Sequence, residues 1–247
     1  MRSGRNPVSI TQVPDGSLIT AAATAPRIDI EAIAPEGTVL ILSPHPDDET
    51  FGCGLAMAAA AARDRRIAIV MLTDGEGSHP NSRTFAPQQL AHLRSEEFAR
   101  ALETLAPSSR VDVLRLHLPD GKSRYDRMLA MQVLPFTQAH GAKAIWSTWR
   151  GDPHCDHQTA AGLGRELAQR LTIPHWSFAV WGRFGERAIP TGLKTFHDPG
   201  LASRKVKAIA AYRSQIDPQV IDDPKGFTMP PALVAHFAEH PEIFIRD

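Results

Sequence analysis

From residue 37 onward, apolar and polar positions fall in blocks. Residues 37–43 (Gly-Thr-Val-Leu-Ile-Leu-Ser) form a short β-branched and apolar run that ends in a Pro-rich polar turn. A continuous apolar run of this length, bounded by turn residues, predicts a strand buried on both faces. Residues 53–63 are rich in small side chains and predict a helix that packs close to a sheet. Residues 67–73 predict a second buried strand, closed by Asp74-Gly75-Glu76-Gly77. Pro87 opens a helix at a position where its missing N–H costs nothing. Leu90, Leu93, Phe98, Ala101, Leu102 and Leu105 give that helix one apolar stripe. Strands over 111–116, 142–148 and 175–181 then alternate with helices over 124–140, 159–171 and 201–213, the first of these bent or broken near Pro135.

Strand-helix alternation predicts right-handed βαβ units around a mostly parallel sheet. The expected fold is α/β, a Rossmann-like three-layer sandwich in a single domain over residues 37–216. An irregular or extended arm over 1–36 precedes it, and a wrap or lid over 217–247 follows. Such sheets place ligands at the carboxyl ends of their strands. The most polar motifs of the chain fall at those ends.

Composition narrows the class. Of 247 residues, 43% are hydrophobic, enough for a substantial core. The 27 basic and 27 acidic residues cancel, so no basic excess points to nucleic acid or to a membrane surface. Two cysteines, Cys53 and Cys155, make no disulfide framework and fit a reduced, cytoplasmic protein. Arg2 and Arg5 are followed by Pro7, Gln12, Pro14 and Asp15 rather than by the apolar core of a signal peptide. No stretch approaches the ~20 apolar residues of a spanning helix.

The first motif is Ser43-Pro44-His45-Pro46-Asp47-Asp48-Glu49-Thr50-Phe51-Gly52-Cys53-Gly54. It sets one imidazole and three adjacent carboxylates straight after a buried strand. Adjacent acids repel unless a positive charge is held among them, and a divalent cation supplies it. The plain alternative is a solvated acidic turn, although Pro44 and Pro46 restrict where each side chain points. The second motif is Gly151-Asp152-Pro153-His154-Cys155-Asp156-His157, at the entry to a helix. Its two histidines are three apart and share a helix face. Here the plain alternative is a helix start capped by Asp156. Taken together, each motif supplies part of a His/Asp/His set that neither completes. Three protein ligands with an open fourth position is the catalytic zinc pattern; a closed structural site completed by Cys53 and Cys155 is the competing arrangement.

The run Pro44 to Glu49, with His154-Cys-Asp-His157 downstream, resembles the LmbE-like (PIG-L) de-N-acetylase family. The resemblance covers about residues 36–216. Thr73-Asp74-Gly75, Arg94 with Glu97, and Tyr212-Arg213-Ser214-Gln215 add to it. It implies a zinc-dependent hydrolase, with Fe2+ as another possible metal, that removes an N-acetyl group from a small-molecule amino sugar or sugar conjugate. It implies His45, Asp48 and His157 as metal ligands, Asp47 as general base for attack of metal-bound water, and His154 as the group that steadies the oxyanion. Asp156 would support His154, and Arg94 and Asp120 resemble substrate-contacting positions. Two positions depart from the family pattern. Leu55 stands where a further glycine is common, and Asp152 stands where members vary, sometimes with a tyrosine.

Other residues are weighed against blander uses. Asp74, Glu76, His79 and Arg83 line a sugar pocket or simply form a polar loop. Trp146, Trp149, Trp176 and Trp181 stack on sugars or, more commonly, pack in a core. His92, His117, His140, His175, His197, His236 and His240 read as surface or core residues. Competing functions are a metallohydrolase of a non-sugar N-acyl compound and a metal-binding module without turnover. A dinucleotide site lacks its GxGxxG turn. An oligomer is compatible with all of these readings.

Overall fold

The computed structural model describes residues 13–106 and 110–246. Its centre is a seven-stranded sheet in the order β3-β2-β1-β4-β5-β7-β6. The strands are β1 (Thr38–Ser43), β2 (Arg66–Thr73), β3 (Val111–Leu118), β4 (Ala142–Thr148), β5 (His175–Phe178), β6 (Leu193–Phe196) and β7 (Glu242–Arg246). The first five run parallel, while β7 pairs antiparallel with both β5 and β6. Every residue of β1 is buried, as its unbroken apolar run requires.

The helices are α1 (Ser17–Ala22), α2 (Ile30–Ile33), α3 (Asp48–Ala62), α4 (Pro87–Leu105), α5 (Arg127–Ala139), α6 (Cys155–Leu171), α7 (Ala202–Ile209), α8 (Arg213–Ile216) and α9 (Pro231–Glu239). Alternate strand residues face opposite layers. Val39 and Ile41 of β1 join a core with α3, α4, α7 and α9, and Leu40 and Leu42 join one with α5 and α6. These are the three layers expected. Among the described residues no helix is long and apolar enough to cross a membrane, and both cysteines are free.

Several boundaries differ from the sequence reading. Of the arm over 1–36 expected to be irregular or extended, residues 1–12 lie outside the described residues, and the remainder contains α1 and α2. Ile33 anchors this stretch, its carbonyl accepting from Trp146 Nε1 at 2.9 Å. The strand read over 175–181 stops at Phe178 and gives way to a 3-10 turn at Trp181–Arg183. The helix read over 201–213 stops at Ile209, and α8 follows separately. The segment 217–247, read only as a wrap or lid, contains β7, which lies inside the sheet. Strand β7 conceals itself in sequence because Glu242 heads it. That carboxylate is fully buried, accepting from Leu55 N (2.6 Å), Ala56 N (2.9 Å) and Lys205 Nζ (2.6 Å). It caps amides freed where α3 breaks at Cys53 (φ −143°, ψ 20°).

His236 of α9 gives a pH-dependent stability. Burial, then the charge of Arg183 whose Nη1 lies 3.5 Å from Nε2, pushes its pKa down to about 3. In the unfolded chain a histidine titrates near ~6.5. Between those values the unfolded state binds the extra proton, so stability falls as pH drops below about 6.5, by at most about 1.4 kcal/mol per pH unit. Melting curves at pH 5 and pH 7 should show a larger acid loss for the wild type than for His236→Gln; equal losses would remove His236 as the source.

Candidate active site

Strands β1 and β4 are neighbours, Leu42 facing Ser147, yet the chain leaves them toward opposite layers, α3 on one side and α6 on the other. A crevice opens at such a switch point. Both polar motifs therefore reach one place although a hundred residues separate them.

The turn after β1 is pinned from several sides. Thr73 donates to the Pro44 carbonyl through N (3.0 Å) and Oγ1 (2.9 Å). Buried Glu49 accepts from Ser43 Oγ (2.8 Å), Thr50 Oγ1 (2.8 Å) and Tyr212 Oη (2.6 Å), and from Asp47 N at 3.3 Å. Within this frame Asp47 takes φ 147°, a conformation that side-chain-bearing residues rarely adopt and that persists only where the surroundings enforce it.

Three donor atoms converge above the turn. Asp48 Oδ2 lies 2.9 Å from His45 Nδ1 and 3.2 Å from His157 Nε2. The His157 nitrogen is buried and makes no hydrogen bond despite that short distance. The opposite nitrogen of each ring meets a carboxylate. His157 Nδ1 lies 2.8 Å from Asp152 Oδ2, and His45 Nε2 lies 3.0 Å from Asp156 Oδ2 and 3.1 Å from Asp120 Oδ1. A carboxylate behind each imidazole is how proteins orient metal-binding histidines.

The charges agree. Burial opposes a proton on His157, but Asp48 and Asp152 outweigh it and push its pKa to about 9. Burial likewise opposes charge on His45, yet Asp120, Asp156 and Asp48 raise its pKa well above the ordinary value. Burial would raise Asp48, but His157 and His45 hold it well below the usual carboxylate range. The cluster thus attracts positive charge into a buried place, and an orphaned nitrogen points into it. Donor atoms that could hold a divalent cation lie together here: those of His45, His154 and His157 fall within 4.8 Å of one another, as do those of His45, Asp120 and Asp156, and Asp48 Oδ2 stands beside His45 and His157. Cys53 joins none of these groups among the described residues, whereas Cys155 lies with His154 and Asp156.

Asp47 stands beside the donors. Burial pushes its carboxyl up to about 7 against the pull of Arg94, whose Nη2 lies 3.0 Å from Oδ2. Arg94 is itself buried and also donates to the Pro46 (2.9 Å) and Gly75 (3.0 Å) carbonyls. It lines the pocket chiefly as a clamp on Asp47. His154 caps α6, its Nδ1 accepting from Asp156 N at 3.3 Å, so the cap is His154 and not Asp156. Burial, then the charges of His45 and His157, lowers the His154 pKa. Asp156 is 3.8 Å from His154 Nδ1 and closer to His45, and it also accepts from Gly121 N (2.8 Å), Ser123 N (2.9 Å) and Ser123 Oγ (2.6 Å).

These groups open onto a cavity of about 510 Å³. Its polar side carries His45, Asp47, Asp48, Asp120 and His154. Its other wall is apolar, formed by Phe51, Val180, Trp181, Phe227 and Met229, with Gln215 beside them. Sequence reasoning missed that wall, apart from Trp181. The other three tryptophans are buried. Asp74 turns away to Arg115 and His117, and Arg83 N binds Asp222, whereas Gly77 and Ser78 of the same loop reach the cavity. A larger open depression of about 1590 Å³ lies between α6 and residues 186–191 but contains none of the donor residues. The chemistry belongs to the smaller cavity.

The family model of the GlcNAc-PI de-N-acetylases, PIG-L, matches residues 40–168, just over half of the chain and including both motifs. The chain belongs to this family. A 1D-myo-inositol 2-acetamido-2-deoxy-alpha-D-glucopyranoside deacetylase from Thermobifida fusca (strain YX) is 28% identical over 212 residues, 79% of this chain and 70% of that protein. Among solved structures, the N,N'-diacetylchitobiose deacetylase of Pyrococcus horikoshii superposes with a TM-score of 0.66 at 18% identity, covering 89% of this chain and 87% of that one. The 4-carboxy-2-hydroxymuconate hydratase of Pseudomonas putida KT2440 superposes with a TM-score of 0.60 at 19% identity, covering 72% and 80%. At such identities these likenesses show the shared fold. A hydratase shares it too, so within this PIG-L chain the reaction must be argued from the site.

Proposed function

We propose that this PIG-L family member is a metal-dependent hydrolase that removes an N-acetyl group from an amino sugar or an amino-sugar conjugate. The observation that carries the reading is the convergence of His45 Nδ1, Asp48 Oδ2 and the orphaned His157 Nε2 beside a buried, clamped Asp47 and the imidazole of His154. A site that only stored metal needs no spare base and no spare donor.

His45, Asp48 and His157 would hold the cation, zinc or Fe2+, through a nitrogen and oxygen set suited to either. When bound, the ion supplies Lewis acidity toward the amide carbonyl and makes hydroxide available near neutral pH. Asp47 accepts the proton of the attacking water at its carboxylate, held in line by Arg94. His154 faces the oxyanion. Its Nδ1 is occupied by the Asp156 amide, so in the neutral ring the proton sits on Nε2, which donates; one such donor is typically worth about 3–4 kcal/mol. The leaving amine needs a proton, and Asp47 then holds one. Asp120, beside Gly77 in the cavity lining, offers acceptor oxygens to a sugar hydroxyl, and Trp181 lines the same cavity. The substrate named for the Thermobifida fusca relative, a 2-acetamido sugar joined to inositol, supports a conjugate as the natural ligand.

The test is acetate release from N-acetylglucosamine, its inositol conjugate and diacetylchitobiose, set against N-acetyl amino acids. Release from the sugars, and fastest from a conjugate, is expected. Release from the amino acids alone would refute the sugar class, and release from none would refute de-N-acetylation.

A further inference from the structure

Asp152, a position at which the chain departs from the family pattern, is fully buried behind His157. Oδ2 lies 2.8 Å from His157 Nδ1. The same oxygen accepts from Val180 N (3.2 Å) and Trp181 N (3.1 Å), and Oδ1 accepts from Gly182 N at 2.6 Å. One carboxylate therefore holds a candidate metal ligand and three consecutive amides of the segment that carries two residues of the apolar cavity wall. Its approach depends on Gly182. A Cβ there would stand 2.3 Å from Asp152 Oδ1 and 2.7 Å from the Trp149 ring, so the carboxylate would have to give way.

We propose that Asp152 is a positioning residue that couples metal affinity to the cavity wall, orienting His157 for the metal while fixing Val180 and Trp181 for the substrate. The inference rests on His157 being a metal ligand, as proposed above. Its physical basis is tautomeric and geometric. A ring that offers Nε2 to a metal keeps its proton on Nδ1, and a fixed acceptor there sets both the tautomer and the ring plane. Because the wall amides share that acceptor, the carboxylate cannot shift to suit one partner without releasing the other.

The test uses the full chain and reads zinc affinity by competition with a chromophoric chelator, alongside KM at saturating zinc. Asp152→Asn is expected to weaken zinc binding by about 10–100-fold. Gly182→Ala should weaken it in the same direction, although Gly182 touches no metal ligand and lies 25 positions beyond His157. Both variants should raise KM. Leu163→Ala, which opens a cavity in the core between α6 and α5 and touches neither Asp152 nor Gly182, serves as the stability control and should leave zinc affinity unchanged. Should Asp152→Asn fail to fold, Gly182→Ala carries the test alone. Wild-type zinc affinity in Gly182→Ala would overturn the proposal, as would weakened zinc binding with an unchanged KM. Loss of zinc affinity in Leu163→Ala to the same extent would reduce the effect to stability and overturn it as well. His157→Ala separates the two levels: if that variant keeps its zinc, the ligand set itself is wrong, whereas zinc lost there but kept in Gly182→Ala refutes only the coupling.

Discussion

Replacing Asp47 by Asn leaves the metal in place and lowers turnover by about 10²–10⁴-fold. The substitution keeps the size of the side chain and an oxygen for Arg94 Nη2, which lies 3.0 Å away in the wild type. It does not alter His45, Asp48 or His157, so the donor atoms stay. What it removes is a group able to take a proton. That group is prepared for the task in two ways. Burial raises its proton affinity to about 7 against the pull of Arg94. The frame of Glu49, Ser43, Thr50 and Tyr212 holds its backbone at φ 147°. Turnover and metal content measured on one preparation decide the matter. Near-normal turnover with metal retained would transfer the base role to another residue.

His157→Ala should lose metal and activity together. The ring is fully buried and supplies a nitrogen that finds no hydrogen-bond partner among the described residues. Alanine removes that donor and leaves the Asp152 carboxylate facing a void. Two remaining ligands hold a divalent ion far more weakly than three on an open catalytic site. The contrast with Asp47→Asn is the informative part. One variant is expected to be loaded and slow, the other empty and inactive. A folded His157→Ala protein, checked by circular dichroism, that still carried one metal per chain would refute the ligand set.

Much of this arrangement is legible in the sequence because buried parallel strands announce themselves. The runs at 38–43 and 142–148 are apolar enough to be read without periodicity, and the polar motifs at their ends fall together once β1 and β4 are neighbours. What stays hidden depends on long-range contacts. Strand β7 is five residues long and begins with Glu242, a buried charge whose partners, Lys205 and the amides of Leu55 and Ala56, lie far away in sequence. The apolar wall draws Phe227 and Met229 from a Pro-rich stretch with no periodic signal. Arg94 sits on an apolar helical stripe and resembles a substrate-contacting position, and its guanidinium binds Asp47 and two carbonyls through Nη1 and Nη2, leaving Nε without a partner among the described residues. Asp156 stands two residues after His154 in the motif but spends its oxygens on His45, Gly121 and Ser123. Neighbours in sequence gave the residue types of the site; only packing shows which of them face one another.

The most direct measurement follows metal content and acetate release on one purified sample, using an N-acetylglucosamine conjugate, through chelation and re-addition of zinc or iron. About one metal per chain, release that stops on chelation, and recovery on re-addition are the expected results. Acetate release that persists after the metal is gone would contradict the account at its centre.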